Sequence, residues 1–279
     1  MPTKNRSSAW SKRTTSRPES GSDVDFDTAT LSQPGGRGYN EDASAVWIGD
    51  EAACWVVCDG AGGHGGGDVA SRIAVEVIAR NFQALGEAGI ETVAELLQDA
   101  NEAVIEQQYA VAELRNMRST VVVLAVDRMR NLAVWGHVGD SRLYCIRDGR
   151  ILHQTRDHSV VQSLVDAGYA DLDALRSHPQ RSVLLSALGT EDDFEASFAA
   201  NPLQVRHNDI FLLCTDGWWE FVHEERMLEL LDQAGSARHW LELMEAELLA
   251  NARPGHDNYT AIAVWLDDDD TRTQVIGGQ

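Results

Sequence analysis

An α+β fold built on antiparallel sheets is what this chain predicts, on three observations. Short apolar runs follow one another with hairpin-length connections, long amphipathic stretches come in pairs, and Asp148-Gly149 stands between two of the runs. Asp-Gly between apolar runs is a strong hairpin signal. A doubly wound parallel sheet would instead alternate single strands with single helices.

The elements follow in order. Runs at 44–48 and 54–58 read as strands, because short apolar segments of about 4–8 residues bounded by turn signals are strand-like. Two amphipathic stretches come next, 68–85 and 90–109. Val69, Ile73, Val77 and, further round, Phe82 form one stripe, and Val93, Leu97, Ala100 and Val104 the other, so each predicts a helix with one buried side. Four runs with short connections, 120–126, 132–138, 142–146 and 150–154, predict four strands. A helix over 159–167, an irregular stretch to about His178, and strands at 183–187 and 210–214 are expected next. Helical stripes at 226–234 and 237–250 precede a last strand at 259–265.

With 279 residues and 43% apolar content the chain has enough material for a real core. Residues 1–23, rich in Ser, Thr, Arg and Lys, read as a disordered basic arm. Residues 24–268 read as one domain, because the acids discussed below span positions 42 to 257, and 269–279 as a flexible acidic tail. The net charge of −21 divides into +4 over residues 1–20, where five cations meet only Glu19, and −25 over the rest. So acidic a body argues against nucleic-acid binding. With no apolar run of membrane-spanning length and no signal-peptide core, a cytoplasmic protein with no membrane partner is expected. The lack of an apolar interaction stripe predicts a monomer. Cys54, Cys58, Cys145 and Cys214 lie inside strand-like runs and read as buried free thiols.

Acids carry the chemistry. Asp42, Asp59, Asp216 and Asp257 lie in separate segments, each beside glycine, asparagine or another acid, with Asp140 as a fifth. One Asp-Gly alone is ordinarily a turn. Jointly they differ, because Asp59, Asp140 and Asp216 each follow an apolar strand-like run, and rigid strand ends can aim several carboxylates at one point. Gathering that many anions without a cation costs several kcal/mol per unpaired charge. A carboxylate cage for divalent metal is the reading, and oxygen-only donors favour magnesium or manganese over zinc or copper.

Six motifs then occur in one order: Arg37-x-x-Asn40-Glu41-Asp42, Asp59-Gly60-x-Gly62-Gly63-His64, Gly139-Asp140-Ser141-Arg142, Thr155-x-Asp157-His158-Ser159, Thr215-Asp216-Gly217 and Asp257-Asn258-x-Thr260. In this the chain resembles the metal-dependent serine/threonine protein phosphatases of type 2C, in their compact bacterial form, from about Asp27 to Leu266. The resemblance implies a four-layer α/β/β/α sandwich with two metals, Mn2+ or Mg2+, in a cleft between the sheets. It implies hydrolysis of phosphoserine and phosphothreonine in proteins by a water shared between them, with no protein nucleophile. Asp59 matches the bridging ligand and the Gly60 carbonyl completes one metal. Asp216 and Asp257 match ligands of the second, and Glu41 and Asp42 reach the cluster directly or through water. Asp140 matches a ligand of a weaker third ion, shared with Asp216. Partners implied are phosphorylated proteins and a Ser/Thr kinase acting on the same substrates.

Arg37, at the family's spacing from Asp42, reads as the phosphate clamp, since a guanidinium fork pairs with two phosphate oxygens. Arg142 reads as half of a structural ion pair. The glycines at 62–67 read as permitting close backbone approach, since no Gly-Lys-Ser/Thr follows to make a nucleotide loop. His64 is a candidate general acid, but relatives place such a histidine directly after Asp-Gly, where this chain has Ala61, so a metal-bound water is the expected proton donor. His158 and His178 read as structural, and the Trp218-Trp219 pair as core packing. Arg118 and Ser182 depart from the family's usual residues without removing a ligand. Residues 168–182 match a surface flap beside the site. A non-catalytic phosphoprotein-binding module on the same fold is the alternative, and a different metal-dependent phosphoester hydrolase, acting on small molecules or nucleic acid, a third reading.

Overall fold

The computed structural model describes residues 24–62, 66–192 and 194–268. The basic arm over 1–23, His64 and the tail over 269–279 lie outside the described residues. Strands β1 (Val24–Gln33), β2 (Ala43–Ile48), β3 (Ala52–Cys58) and β4 (Gly60–Ala61) lead into helices α1 (Gly67–Leu85) and α2 (Ile90–Ala110). Next come β5 (Arg118–Ser119), β6 (Val121–Asp127), β7 (Leu132–Val138), β8 (Arg142–Arg147) and β9 (Arg150–Gln154). After α3 (Val160–Asp166) and the short α4 (Ala174–Ser177) follow β10 (Ser197–Phe198), β11 (Leu203–Gln204) and β12 (Ile210–Cys214). Helices α5 (Asp216–Trp219), α6 (Glu224–Leu231) and α7 (Ala237–Asn251) precede β13 (Tyr259–Asp268).

One sheet runs β1-β13-β12-β8-β9 and the other β10-β7-β6-β3-β2, with β11 also on β7. The pairings within them are antiparallel. Alternation along the strands builds three apolar layers. Cys54, Val56 and Cys58 of β3 pack on Ala70, Ile78 and Leu97 of α1 and α2. Their neighbours Ala53, Trp55 and Val57 face the second sheet, against Leu213, Ile262 and Val264. On that sheet's outer face Leu212, Ala261 and Ala263 meet Trp218, Trp240 and Met244. The result is the expected four-layer α/β/β/α sandwich. Strands buried on both faces also explain why β3, β6 and β12 read as continuous apolar runs.

The hairpin signal holds: Asp148 and Gly149 have φ of 52° and 68°, the positive pair a two-residue turn requires, between β8 and β9. The four cysteines are free and buried. The α2 stripe Val93, Leu97, Ala100 and Val104 is fully buried. On α1 the buried line is instead Ala70, Ala74, Ile78 and Phe82, with Val69 and Ile73 half-buried beside it. Two alanines carry too little hydropathy to mark a face, so the valine and isoleucine drew the stripe off centre.

The expected strand at 183–187 does not form. The segment makes an isolated bridge from Leu184 to Ser159, and Val183 and Leu185 are exposed. Its backbone is tied to the loop at 158–160, through Val160 N to Val183 O and Leu185 N to His158 O, which leaves it no ladder to join. Conversely β1 carries no strong apolar run, because Asp25 and Asp27 interrupt it, yet it pairs with β13 over ten residues. Asp27 Oδ2 accepts from Ala237 N at the start of α7, a cap a sequence does not reveal. Asp267 and Asp268 complete β13, beyond the expected strand end at 265. Among the described residues no helix is long and apolar enough to cross a membrane.

Candidate metal centre

Strand register decides where the acids go. Gln33 pairs with Tyr259, Cys214 with both Ala261 and Arg142, Ala43 with Cys58, and Val121 with Val138. The loops leaving those pairs emerge at one end of the sandwich. They carry Arg37, Glu41, Asp42, Asp59, Asp140, Asp216 and Asp257 to a single rim, although 220 residues separate Arg37 from Asp257.

Asp59 and Asp42 are held by backbone and hydroxyl partners at strand ends. Asp59 N donates to Thr120 Oγ1 (3.0 Å), and Asp59 O accepts from Thr120 N (2.8 Å) and Ser119 Oγ (2.9 Å). Asp42 Oδ2 accepts from Thr215 Oγ1 (3.1 Å), whose oxygen in turn accepts from Thr260 N (3.0 Å). Asn258, almost fully buried, accepts from Glu41 N (2.8 Å) and donates to Pro34 O and Tyr39 O (2.9 Å each), so it shapes the loop carrying Arg37 and Glu41. Asp140 is buried, and its carbonyl accepts from Trp219 Nε1 (3.0 Å). The close approach expected of the glycines at 62–67 is seen at Gly67, where a Cβ would lie 2.5 Å from Glu41 Oε1 and 2.7 Å from Gly60 O, and Gly60 is as tight, its Cβ falling 2.1 Å from Gly67 O.

The electrostatics are those of crowded, desolvated anions. Burial first, then the charges of Asp42, Asp216, Asp140 and Asp257, hold the Asp59 carboxyl well above the ordinary range. Burial, then Asp140 and Glu220, does the same to Asp216. Burial pushes Asp42 up to about 7, with Asp257 and Glu41 adding to it against the hydroxyl hydrogen bonds. Asp140 is likewise pushed up to about 7 by burial and by Asp157, with Arg142 opposing. Glu41 Oε1, Asp42 Oδ1 and Asp216 Oδ1 are buried with no hydrogen-bond partner. Buried carboxylate oxygens are ordinarily satisfied, so three orphans at one rim call for a cation. Hard oxygen donors fit magnesium or manganese.

Among the described residues no three acid, histidine or cysteine side chains are already closed around one ion position. The carboxylates share one rim within electrostatic reach of one another. Asp257 turns outward, its Oδ2 pairing with Arg37 Nη2 at 2.9 Å in a half-exposed ion pair. The expected phosphate clamp is thus beside the acids, with a carboxylate on its fork.

Arg142 is the expected structural arginine: it forks onto Asp157 at 2.8 Å on both arms, fully buried, and stacks 3.5 Å above the Trp219 ring. Trp218 and Trp219 are both buried in the core, as expected. His158 accepts from Gly139 N (3.2 Å), hydrogen-bonds Ser197 Oγ (2.9 Å) and stacks on His137. Burial and His137 push it down to about 4, which suits a structural imidazole. His178 Nδ1 accepts from Gln180 N, a local turn contact. Arg118 lies on β5, paired with Ala61 of β4, and donates to Met117 O. Within the expected flap, Arg176 forks onto Glu224 and Arg181 pairs with Glu220, and Ser182 joins both in lining a cleft of 680 Å3 that reaches Asp216 and Asp257.

Sequence reasoning missed Thr120, Thr215, Asn258 and Thr260 as positioning groups. A hydroxyl or amide within one to three residues of a candidate ligand was the available signal for three of them. Thr120 had none, because it meets Asp59 only through sheet pairing 61 residues away.

Known proteins resemble this chain in sequence and in fold. A family model described as protein phosphatase 2C matches residues 37–248. The serine/threonine phosphatase stp of Listeria welshimeri is 31% identical over 234 residues, covering 82% of this chain and 90% of that protein. The crystal structure of the Mycobacterium tuberculosis serine/threonine phosphatase PstP/Ppp is 31% identical, with a TM-score of 0.75 over 88% of this chain and 99% of that one. A structure of the catalytic domain of PstP in complex with two manganese ions is 28% identical, with a TM-score of 0.72 over 88% of this chain and 99% of that one.

Proposed function

The chain belongs to the protein phosphatase 2C family, and on that premise we propose that it hydrolyses phosphoserine and phosphothreonine in proteins, using divalent metal at the rim just described. The observation that carries this reading is the set of strand-end carboxylates with three buried oxygens unpartnered. Asp59 and the Gly60 carbonyl, with Asp216, Asp257, Glu41 and Asp42, are the residues that would hold two ions, and Asp140 with Asp216 a third. Manganese and magnesium both suit oxygen donors of this kind. When bound, the metal supplies an activated water and neutralises phosphoryl charge.

This chain's own groups do the rest. Asp42, Asp59, Asp140 and Asp216 must give up their protons to act as ligands, so binding and proton release are coupled. Thr215 and Thr120 fix the acids' orientation. Arg37 grips the substrate phosphate, exchanging the Asp257 carboxylate on its fork for phosphoryl oxygens of the same geometry. Cysteine chemistry is not available: burial pushes the Cys145 thiol up to about 12 and holds Cys54, Cys58 and Cys214 higher still, and a thiol attacks only as thiolate. The reading further takes residues 24–268 as one catalytic domain, acting as a cytoplasmic monomer that reverses a Ser/Thr kinase.

The test is phosphate release from a phosphothreonine peptide in EDTA, magnesium and manganese, for wild type and for Asp59→Ala and Asp216→Ala. Activity that needs metal and falls at least about 10^3-fold in both variants is expected. No turnover by folded, metal-loaded wild type would overturn the hydrolase reading and favour a phosphoprotein-binding module.

A further inference from the structure

The cleft beside the carboxylate rim gathers four arginines next to the carboxylates Asp216, Glu220 and Asp257, in a molecule that is otherwise strongly acidic. The protein carries a net charge of −21, and both of its lysines, Lys4 and Lys12, lie in the N-terminal arm. Yet Arg37, Arg176, Arg181 and Arg253 all open on this one cleft. Three of them are committed to carboxylates: Arg37 to Asp257, Arg176 to Glu224 and Arg181 to Glu220. Arg253 differs. It is exposed, and among the described residues no carboxylate pairs with it.

Arg253 is also held in place. It sits in the turn between α7 and β13, and its carbonyl accepts from both His256 N (3.0 Å) and His256 Nδ1 (3.0 Å). His256 O in turn accepts from Gly36 N (3.0 Å), joining this turn to the loop that carries Arg37. Arg253 thus lines the cleft from a turn whose backbone is braced, and Arg181 lines the same cleft from the flap. A long-range field from the acidic body repels an acidic peptide over most of the surface, whereas the uncommitted guanidinium of Arg253 attracts one of its carboxylates at one place. That combination selects for where an acidic peptide binds as well as whether it binds.

We propose that Arg253 forms a subsite for an acidic side chain flanking the phosphorylated residue, so that acidic phosphopeptides are the preferred substrates. The inference rests on the phosphatase reading and names its substrate class. A carboxylate of the peptide meets the Arg253 fork while the phosphate occupies the Arg37 side of the cleft. Arg253 is a specificity residue that takes no part in bond breaking.

The experiment compares two phosphothreonine peptides that differ only in Asp/Glu against Asn/Gln around the phosphoresidue, with p-nitrophenyl phosphate as a substrate lacking any flank. Wild type should favour the acidic peptide by about tenfold in kcat/KM, expressed in KM, and the preference should shrink in high salt. Arg253→Gln should reduce it to about twofold or less, Arg253→Lys should retain part of it, and p-nitrophenyl phosphate hydrolysis should stay within about twofold of wild type throughout. Equal rates on the two peptides by wild type, or an unchanged preference in Arg253→Gln, would overturn the subsite while leaving the phosphatase intact. No turnover of any substrate by the metal-loaded protein would remove the phosphatase reading and this inference with it.

Discussion

The Thr215 hydroxyl sits between an acid and a strand. It donates to Asp42 Oδ2 at 3.1 Å and accepts from Thr260 N at 3.0 Å, so it orients the carboxylate and stitches β12 to β13. Thr215→Val keeps the shape and removes both bonds, leaving Thr260 N without its acceptor. The expected result is a loss of about 1–3 kcal/mol of stability and about tenfold weaker manganese binding, measured by thermal melts and metal titration. Thr215→Ser should restore most of both, and unaltered metal affinity in the valine variant would exclude the positioning role. At this scale the acids were legible because each stands beside glycine, asparagine or another acid at a strand end. The groups that aim them were not, since a threonine reads alike whether its hydroxyl meets solvent or Asp42.

The turn from β12 into α5 shows how elements transmit that order. A Cβ on Gly217 would lie 2.0 Å from Asn258 O, and Asn258 is the residue that ties the loops at 34–41 to the start of β13. Gly217→Ala must therefore push one backbone away from the other. It should cost about 2 kcal/mol or more in stability and lower kcat/KM at least about tenfold, in melts and phosphopeptide kinetics run together. A variant with wild-type stability and rate would show that this close approach is not required. Elements were legible wherever burial on one or both faces gave a clear period, as for β3, β6, β12 and α2. They were lost where partners rather than composition make the element. β1 exists because β13 pairs with it over ten residues. The apolar run at 183–187 fails as a strand because its backbone is spent on the loop at 158–160.

Across the whole molecule, the gathered acids make stability depend on metal and on pH together. Asp42 and Asp140 are pushed up to about 7 and Asp59 and Asp216 also stand well above the ordinary range, whereas in the unfolded chain all return to about 4. Between these limits the folded state holds protons that the unfolded state releases, so the stability of the metal-free protein falls as pH rises from about 4 to about 7. In EDTA the melting temperature should drop by about 5 °C or more between pH 5.5 and 8, and manganese should recover it at pH 8, where the acids are ready to act as ligands. A metal-free melting temperature that rises over that interval would contradict the crowding. The sequence by itself determined the acidic body, the antiparallel α+β class, most element positions and the identity of the candidate ligands, because hydropathy period and turn chemistry are local properties. Only the tertiary structure decided that Asp257 turns to Arg37, that Thr215, Thr120 and Asn258 brace the rim, and that four arginines share one cleft. Those facts depend on strand register, which brings residues up to 224 positions apart to one end of the sandwich, and no local pattern records it.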